Sequence, residues 1–128
     1  MPDALPSLIK AYRIQEKARN VGFDWDKPED VWDKVQEELD ELKAELRKEG
    51  NQKRQDEEYG DFLFSLINAG RLYHINPDNA LEYTNQKFIR RFNYLEAHSI
   101  KVGKPLTEMT LAEMNELWNE AKKLEDNH

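Results

Sequence analysis

Two short stretches of this 128-residue chain crowd carboxylates together, Glu37-Glu38-Leu39-Asp40-Glu41 and Asp56-Glu57-Glu58-Tyr59-Gly60-Asp61. Either one taken singly reads as the solvated face of an acidic helix. Their placement against the neighbouring apolar residues says more. At about 100° of turn per helical residue, Trp32, Val35, Leu39, Leu42 and Leu46 form one stripe. Glu38 stands on its flank, Glu41 and Glu45 continue that flank, and Glu37 points away. Tyr59, Phe62, Leu63, Leu66, Ala69 and Tyr73 form a second stripe, with Glu58 and Asp61 on the corresponding flank, Ser65 and Asn68 beyond them, and Glu57 facing water. If the two helices pack antiparallel through their stripes, Glu38, Glu41, Glu58 and Asp61 converge on one seam. Four such charges repel one another unless protons or a cation intervene. An all-oxygen donor set suits Mg²⁺ or Mn²⁺, whereas zinc normally takes His or Cys. A divalent-cation site is therefore the expected chemistry.

That convergence depends on the elements around it. Gly50-Asn51 separates the two carboxylate helices, and so short a link makes them antiparallel neighbours. Upstream, a helix from about Leu5 to Arg19 carries Leu8, Ala11, Tyr12 and the stem of Lys17 on one side. The loop Gly22-Phe23-Asp24-Trp25-Asp26-Lys27-Pro28 leads to Glu29 and Asp30, acids that complement the dipole at a helix start. The second helix follows, then a third from about Arg54 to Leu72. Asn76-Pro77 supplies an N-cap and a first helical residue for a fourth helix to about Ala97, built on Leu81, Phe88, Phe92 and Leu95. Thr110-Leu111-Ala112-Glu113 is a capping box that opens a fifth helix with Met114, Leu117, Trp118 and Ala121. No run alternates like a strand. The expectation is an all-α antiparallel bundle of about five helices forming one domain over residues 1–128, with the tail fraying from about Glu125.

Composition narrows the function classes. Lys and Arg total 19 against 26 Asp and Glu, a net charge of −7. So acidic a surface does not release counterions from a phosphate backbone, which excludes general nucleic-acid binding. An anionic ligand would need recruited positive charge. There is no Cys, so no disulfide framework or thiolate zinc site exists, and the cytoplasm is the expected compartment. The longest near-apolar run, Phe62 to Ile67, is far short of the roughly 20 residues of a membrane span, and Met1-Pro2-Asp3-Ala4 carries no basic targeting segment. Hydrophobic residues make up 38% of the chain. Spread over narrow helical stripes, they leave a small monomer poorly covered, which points to a homodimer or higher oligomer. Other metal chemistries fail on spacing. A ferritin-type di-iron site needs Glu-x-x-His twice, but Arg71 and Leu95 stand three residues before His74 and His98. Asp24-Trp25-Asp26 opens no calcium loop, because Glu29 and Val35 occupy the positions that require Gly and Glu. The three His read as surface or capping residues.

The fourth helix offers the opposite charge in Asn85-Gln86-Lys87-Phe88-Ile89-Arg90-Arg91-Phe92. Lys87 and Arg91, four residues apart, flank the Phe88 stripe together, while Arg90 points outward. They either balance nearby acids or, beside a cation held by carboxylates, neutralise phosphates. At this point the chain resembles the MazG-like nucleoside triphosphate pyrophosphohydrolases. Their pattern of Glu-Glu-x-x-Glu, a spacer and Glu-x-x-Asp matches Glu37-Glu38-x-x-Glu41 and Glu58-x-x-Asp61. The resemblance runs from about Ala4 to Leu124 and includes Gly22-Phe23-Asp24-Trp25 and Asn85-x-Lys87-Phe88-x-x-Arg91-Phe92. It looks like the C-terminal of the two related domains in a bacterial MazG protein.

The resemblance implies an all-α fold, Mg²⁺ dependence, dimerisation, and hydrolysis of NTPs or dNTPs to the monophosphate and pyrophosphate. By motif position it makes Glu38, Glu41, Glu58 and Asp61 metal ligands and puts Lys87 and Arg91 on the triphosphate. Asn85 matches the same motif but falls on the other side of the stripe. Arg54 and Trp118 match positions near the family's site, against equally good plain readings as a solvated Arg and a core Trp. No general base is assignable; Glu37 and Glu38 are the carboxylates placed to serve. No segment reads as a base-specific pocket, so base and sugar preference are not legible. The rival class is a non-catalytic helical module, a nucleotide sensor or interaction domain that keeps the acidic motif for folding.

Overall fold

The computed structural model describes residues 5–126. They form five α-helices and two short 3₁₀ turns, with no strand among the described residues. The helices are α1 (Ser7–Asn20), α2 (Val31–Leu46), α3 (Gln52–Arg71), α4 (Pro77–Val102) and α5 (Leu111–Asp126). The fold is all-α, as expected. None of these helices is long and apolar enough to cross a membrane.

Local chemistry accounts for most boundaries. Gly22 closes α1 with φ +90°. Its N–H bonds to the Arg19 carbonyl at 2.9 Å and that of Phe23 reaches back to Ala18 at 3.0 Å, the paired C-terminal bonds that a left-handed Gly permits. Pro28–Asp30, where a helix start was expected, is a 3₁₀ turn that feeds into α2. Asn51 caps α3 by accepting from the Arg54 N–H at 3.0 Å. Asn76 caps α4 through the N–H groups of Asp78 and Asn79 at 3.0 and 3.1 Å. The capping box of α5 forms reciprocally, Glu113 N–H to Thr110 Oγ1 at 3.1 Å and Thr110 N–H to Glu113 Oε1 at 3.4 Å. α4 runs five residues past the expected Ala97. α5 extends through Asp126, so Glu125 is helical; the rest of the expected fraying tail lies outside the described residues.

The chain divides into two compact units, with the boundary between Ala80 and Leu81. In the first, α2 packs along α3, and α1 packs on α3. Val31, Val35 and Ala69 form its core, with Phe62 and Leu72 against them. In the second, Leu95, Met109 and Leu117 form the core, with Tyr94, Leu106, Met114 and Trp118 against it.

The helices are rotated relative to the expected stripes. The inward face of α2 is Val31, Val35, Glu38, Leu42 and Glu45, whereas Trp32 and Leu46 are 45% and 55% exposed. On α3, Glu58, Ser65, Ile67, Ala69 and Arg71 are buried, while Tyr59, Leu63, Leu66 and Tyr73 are exposed. Of the residues expected to build the α4 core, only Leu95 is buried. The apolar stripes are wider than one neighbour covers. The contact line therefore takes the edge that carries the carboxylates and leaves the aromatic edge outside.

Candidate functional site

The rotation of α2 and α3 puts acid side chains into their interface. Val31 and Val35 lie with Ala69 near the end of α3, while Glu45 lies near Arg54 at its start, so the two helices run antiparallel. Midway between, Glu38, Glu58 and Asp61 each offer a carboxylate oxygen within 4.8 Å of those of the other two. Glu38 and Glu58 are 7% and 4% exposed, and Asp61 is exposed. Three of the four carboxylates expected at this seam thus converge. Glu41 is exposed and lies outside the trio, yet close enough to share its field. The negative charge of Glu38, partial burial and the charge of Glu58 raise its pKa above the usual range.

Each buried carboxylate is half satisfied. Lys34 Nζ meets Glu38 Oε1 at 2.8 Å and Arg54 Nη2 meets Glu58 Oε1 at 2.8 Å. The second oxygens, Glu38 Oε2 and Glu58 Oε2, are buried and have no hydrogen-bond partner. An unpaired carboxylate oxygen away from water is costly, and here two of them border an exposed aspartate. That donor set, all oxygen and short of positive charge, fits a hard divalent cation. Lys34 is the functional residue missed in the sequence. It stands one turn before Glu38, a spacing that signals an ion pair, and the hydrogen bond to Glu38 raises its pKa. Arg54, expected near the site, also reaches Glu57 at 3.7 Å and Glu45 at 3.9 Å. Glu45, which the periodicity puts on the same flank as Glu38, is 8% exposed.

The second unit holds the other expected residues. Arg91 donates through Nε and Nη2 to Glu125 Oε2 at 3.1 and 2.9 Å, and its guanidinium lies 5.6 Å from the Trp118 ring centroid. Phe88 packs on Trp118 at 5.0 Å. The hydrogen bonds from Arg91, together with the charges of Arg90 and Lys87, hold Glu125 below the ordinary carboxylate range in spite of its partial burial. Lys87 and Asn85 are exposed. Trp118 is half-buried against the core and under Arg91.

No protein-family profile matches the chain. It is 42% identical over 119 residues, 92% of its length, to the nucleoside triphosphate pyrophosphohydrolase/pyrophosphatase MazG of Thermotoga maritima. Over 126 residues, 98% of its length, it is 39% identical to the nucleoside triphosphate pyrophosphohydrolase of Escherichia coli. The chain is MazG-like along nearly its whole length. It spans about half of those two relatives, 45% and 48% of their lengths. The MazG-like sequence also matches the uncharacterized protein YabN of Bacillus subtilis, at 45% identity over 125 residues, covering 26% of that protein.

Proposed function

We propose that this MazG-like chain, acting as one domain over its 128 residues, hydrolyses nucleoside triphosphates to the monophosphate and pyrophosphate. Mg²⁺ is its resident cation, and Mn²⁺ is able to replace it. The observation that carries the reading is the trio Glu38, Glu58 and Asp61 with two buried, partnerless oxygens, in a chain 39–42% identical to proteins named for that activity. Glu38, Glu41, Glu58 and Asp61 would hold the cation, which when bound neutralises phosphate oxygens and lowers the pKa of water. Lys34 and Arg54 each engage one oxygen of a buried ligand, which fixes the carboxylate's orientation and leaves the other oxygen for the cation. Lys87 and Arg91 are the side chains we assign to the leaving phosphates, and Asn85 and Trp118 are further side chains we assign to the substrate.

No Gly-rich phosphate loop of the Walker type occurs in the sequence, so the bond between the α and β phosphates is the one proposed to break. The apolar edge of Trp32, Leu46, Tyr59, Leu63 and Leu66, exposed in one copy, supports a homodimer, and the acidic, cysteine-free composition suits the cytoplasm. Turnover in H₂¹⁸O tests the reaction. Label in the monophosphate with unlabelled pyrophosphate is the expected result, abolished by EDTA and restored by Mg²⁺ or Mn²⁺. A nucleoside diphosphate with free orthophosphate as first products overturns it. Nucleotide binding without turnover would make the chain a sensor module instead.

A further inference from the structure

Within the second unit, Arg91 is gripped by one edge and left open at another. Trp118 and Glu125, seven residues apart, share a face of α5, and both meet Arg91. The guanidinium carbon lies 5.6 Å from the Trp118 ring centroid, within cation–π range, and Phe88 packs against the same ring. A single oxygen, Glu125 Oε2, accepts from both Nε and Nη2 of Arg91 at 3.1 and 2.9 Å, while Glu125 Oε1 faces Arg90 Nε at 3.7 Å. The guanidinium is planar and carries N–H donors on all three nitrogens. Glu125 takes the Nε side. The end-on fork of Nη1 and Nη2 remains, and Nη1 makes no hydrogen bond among the described residues. A carboxylate that competed with phosphate for this group would take that fork with both oxygens. The Arg91 side chain is 14% exposed, against 59% for Arg90, so it is Arg91 whose plane is fixed.

We infer that Glu125 is a positioning residue: with Trp118 against the ring plane, it fixes the Arg91 guanidinium so that the Nη1–Nη2 fork is presented to two oxygens of the triphosphate. The inference rests on the assignment of Arg91 to the leaving phosphates, and adds which group orders that side chain and which of its edges meets the ligand. An unrestrained arginine gives up rotamer freedom when it grips a phosphate, whereas one already pinned by its other edge gives up little. The negative charge of Glu125 does not cancel this gain. Arg91, Arg90 and Lys87 all act on it, so the cations outnumber the carboxylate and the cluster keeps positive charge for an anion.

Isothermal titration of the intact chain with Mg²⁺ and the α,β-methylene analogues of ATP, GTP, CTP and UTP selects the tightest analogue, which then probes the variants. Arg91→Ala should weaken it by about tenfold or more, and Glu125→Ala by about fivefold to tenfold. The double variant should match Arg91→Ala within about twofold, because Glu125 acts only through Arg91. Glu125→Gln, whose carboxamide oxygen still accepts from Nε and Nη2, should recover most of the loss. Glu120→Ala is the structural control: it removes the same charge and another α4–α5 tie, the Tyr94 hydroxyl bond to Glu120 at 3.0 Å, and should leave the Kd within about twofold. With Arg91→Ala weakened as expected, unchanged or tighter binding in Glu125→Ala overturns the positioning role and leaves the hydrolase reading intact. Additive losses in the double variant, no recovery in Glu125→Gln, or an equal loss in Glu120→Ala do the same. Full affinity in Arg91→Ala, or no binding of any analogue by the intact chain, overturns the assignment of Arg91 to the phosphates, and the positioning role with it.

Discussion

The two ends of α3 solve the same problem in opposite ways. Near its start, Glu58 is 4% exposed and has one oxygen on Arg54 and the other on nothing. Its companions Glu38 and Asp61 add like charge. At its end Arg71 is also 4% exposed, but its guanidinium is met by Asn68 and Asp24, with Glu16 at 3.7 Å. Burying a charge is expensive unless its partners are in place. Where they are, the cluster stabilises the fold; where they are missing, the fold carries a cost that only a ligand removes. The titration behaviour follows the same division. The neighbouring carboxylates Glu38 and Glu58, together with partial burial, raise Glu41. At Asp24, burial opposes the charge, but the hydrogen bonds from Arg71 and the Trp25 N–H outweigh it and lower the pKa. A saturated cluster is therefore a clamp, and an unsaturated one is a binding site.

Removing the clamp should have the largest effect. Arg71→Leu leaves Asp24 without its main partner and frees the Gly22–Trp25 loop, which should cost about 3 kcal/mol. The melting temperature of the metal-free chain should then fall by on the order of 10 °C. A fall of less than about 3 °C would break the contrast, because the buried Arg71 network would then not be structural.

Glu58→Gln should behave in the opposite sense. Without metal it relieves repulsion, so the melting temperature should hold or rise, while turnover drops by at least about 100-fold and the thermal stabilisation by Mg²⁺ disappears. Glu57→Gln, one residue away and exposed, is the control and should stay within about 0.5 kcal/mol of the parent. A metal-free loss of stability in Glu58→Gln equal to that in Arg71→Leu would show that both ends are clamps.

The smallest effect separates the ends by pH. The depressed pKa of Asp24 contributes stability that is fully present above its unfolded value of about 3.9 and is lost as pH falls through its lower folded value. The raised pKa of Glu41 acts the other way: its contribution is present below the unfolded value of about 4.3 and is lost as pH rises through the folded one. Carboxyl titration followed by NMR on the metal-free chain should find Asp24 ionising at lower pH than Glu41. The reverse order would contradict the electrostatic contrast.

The sequence by itself determined the elements and the antiparallel pairing of the two acidic helices. Caps at Asn51, Asn76 and Thr110 act over a few residues, and the period of apolar residues is a property of one helix. The link at Gly50-Asn51 is too short for any pairing but an antiparallel one, which sets Glu38 level with Glu58 and Asp61 along the two axes. Lys34 was within reach of the same reasoning, one turn from Glu38. Tertiary structure alone decided how far α2 and α3 turn about their axes, which buries Glu45 and leaves Trp32, Leu46 and Tyr59 outside. It also decided that Gln15 and Arg71 become interior groups, since their partners Phe64 and Asp24 lie 49 and 47 residues away in the chain. Local terms such as capping and helical period depend on neighbours within a turn or two, so they can be read from the order of residues. The cost of burying a polar group depends on which distant group arrives to satisfy it, and only the packed chain sets that.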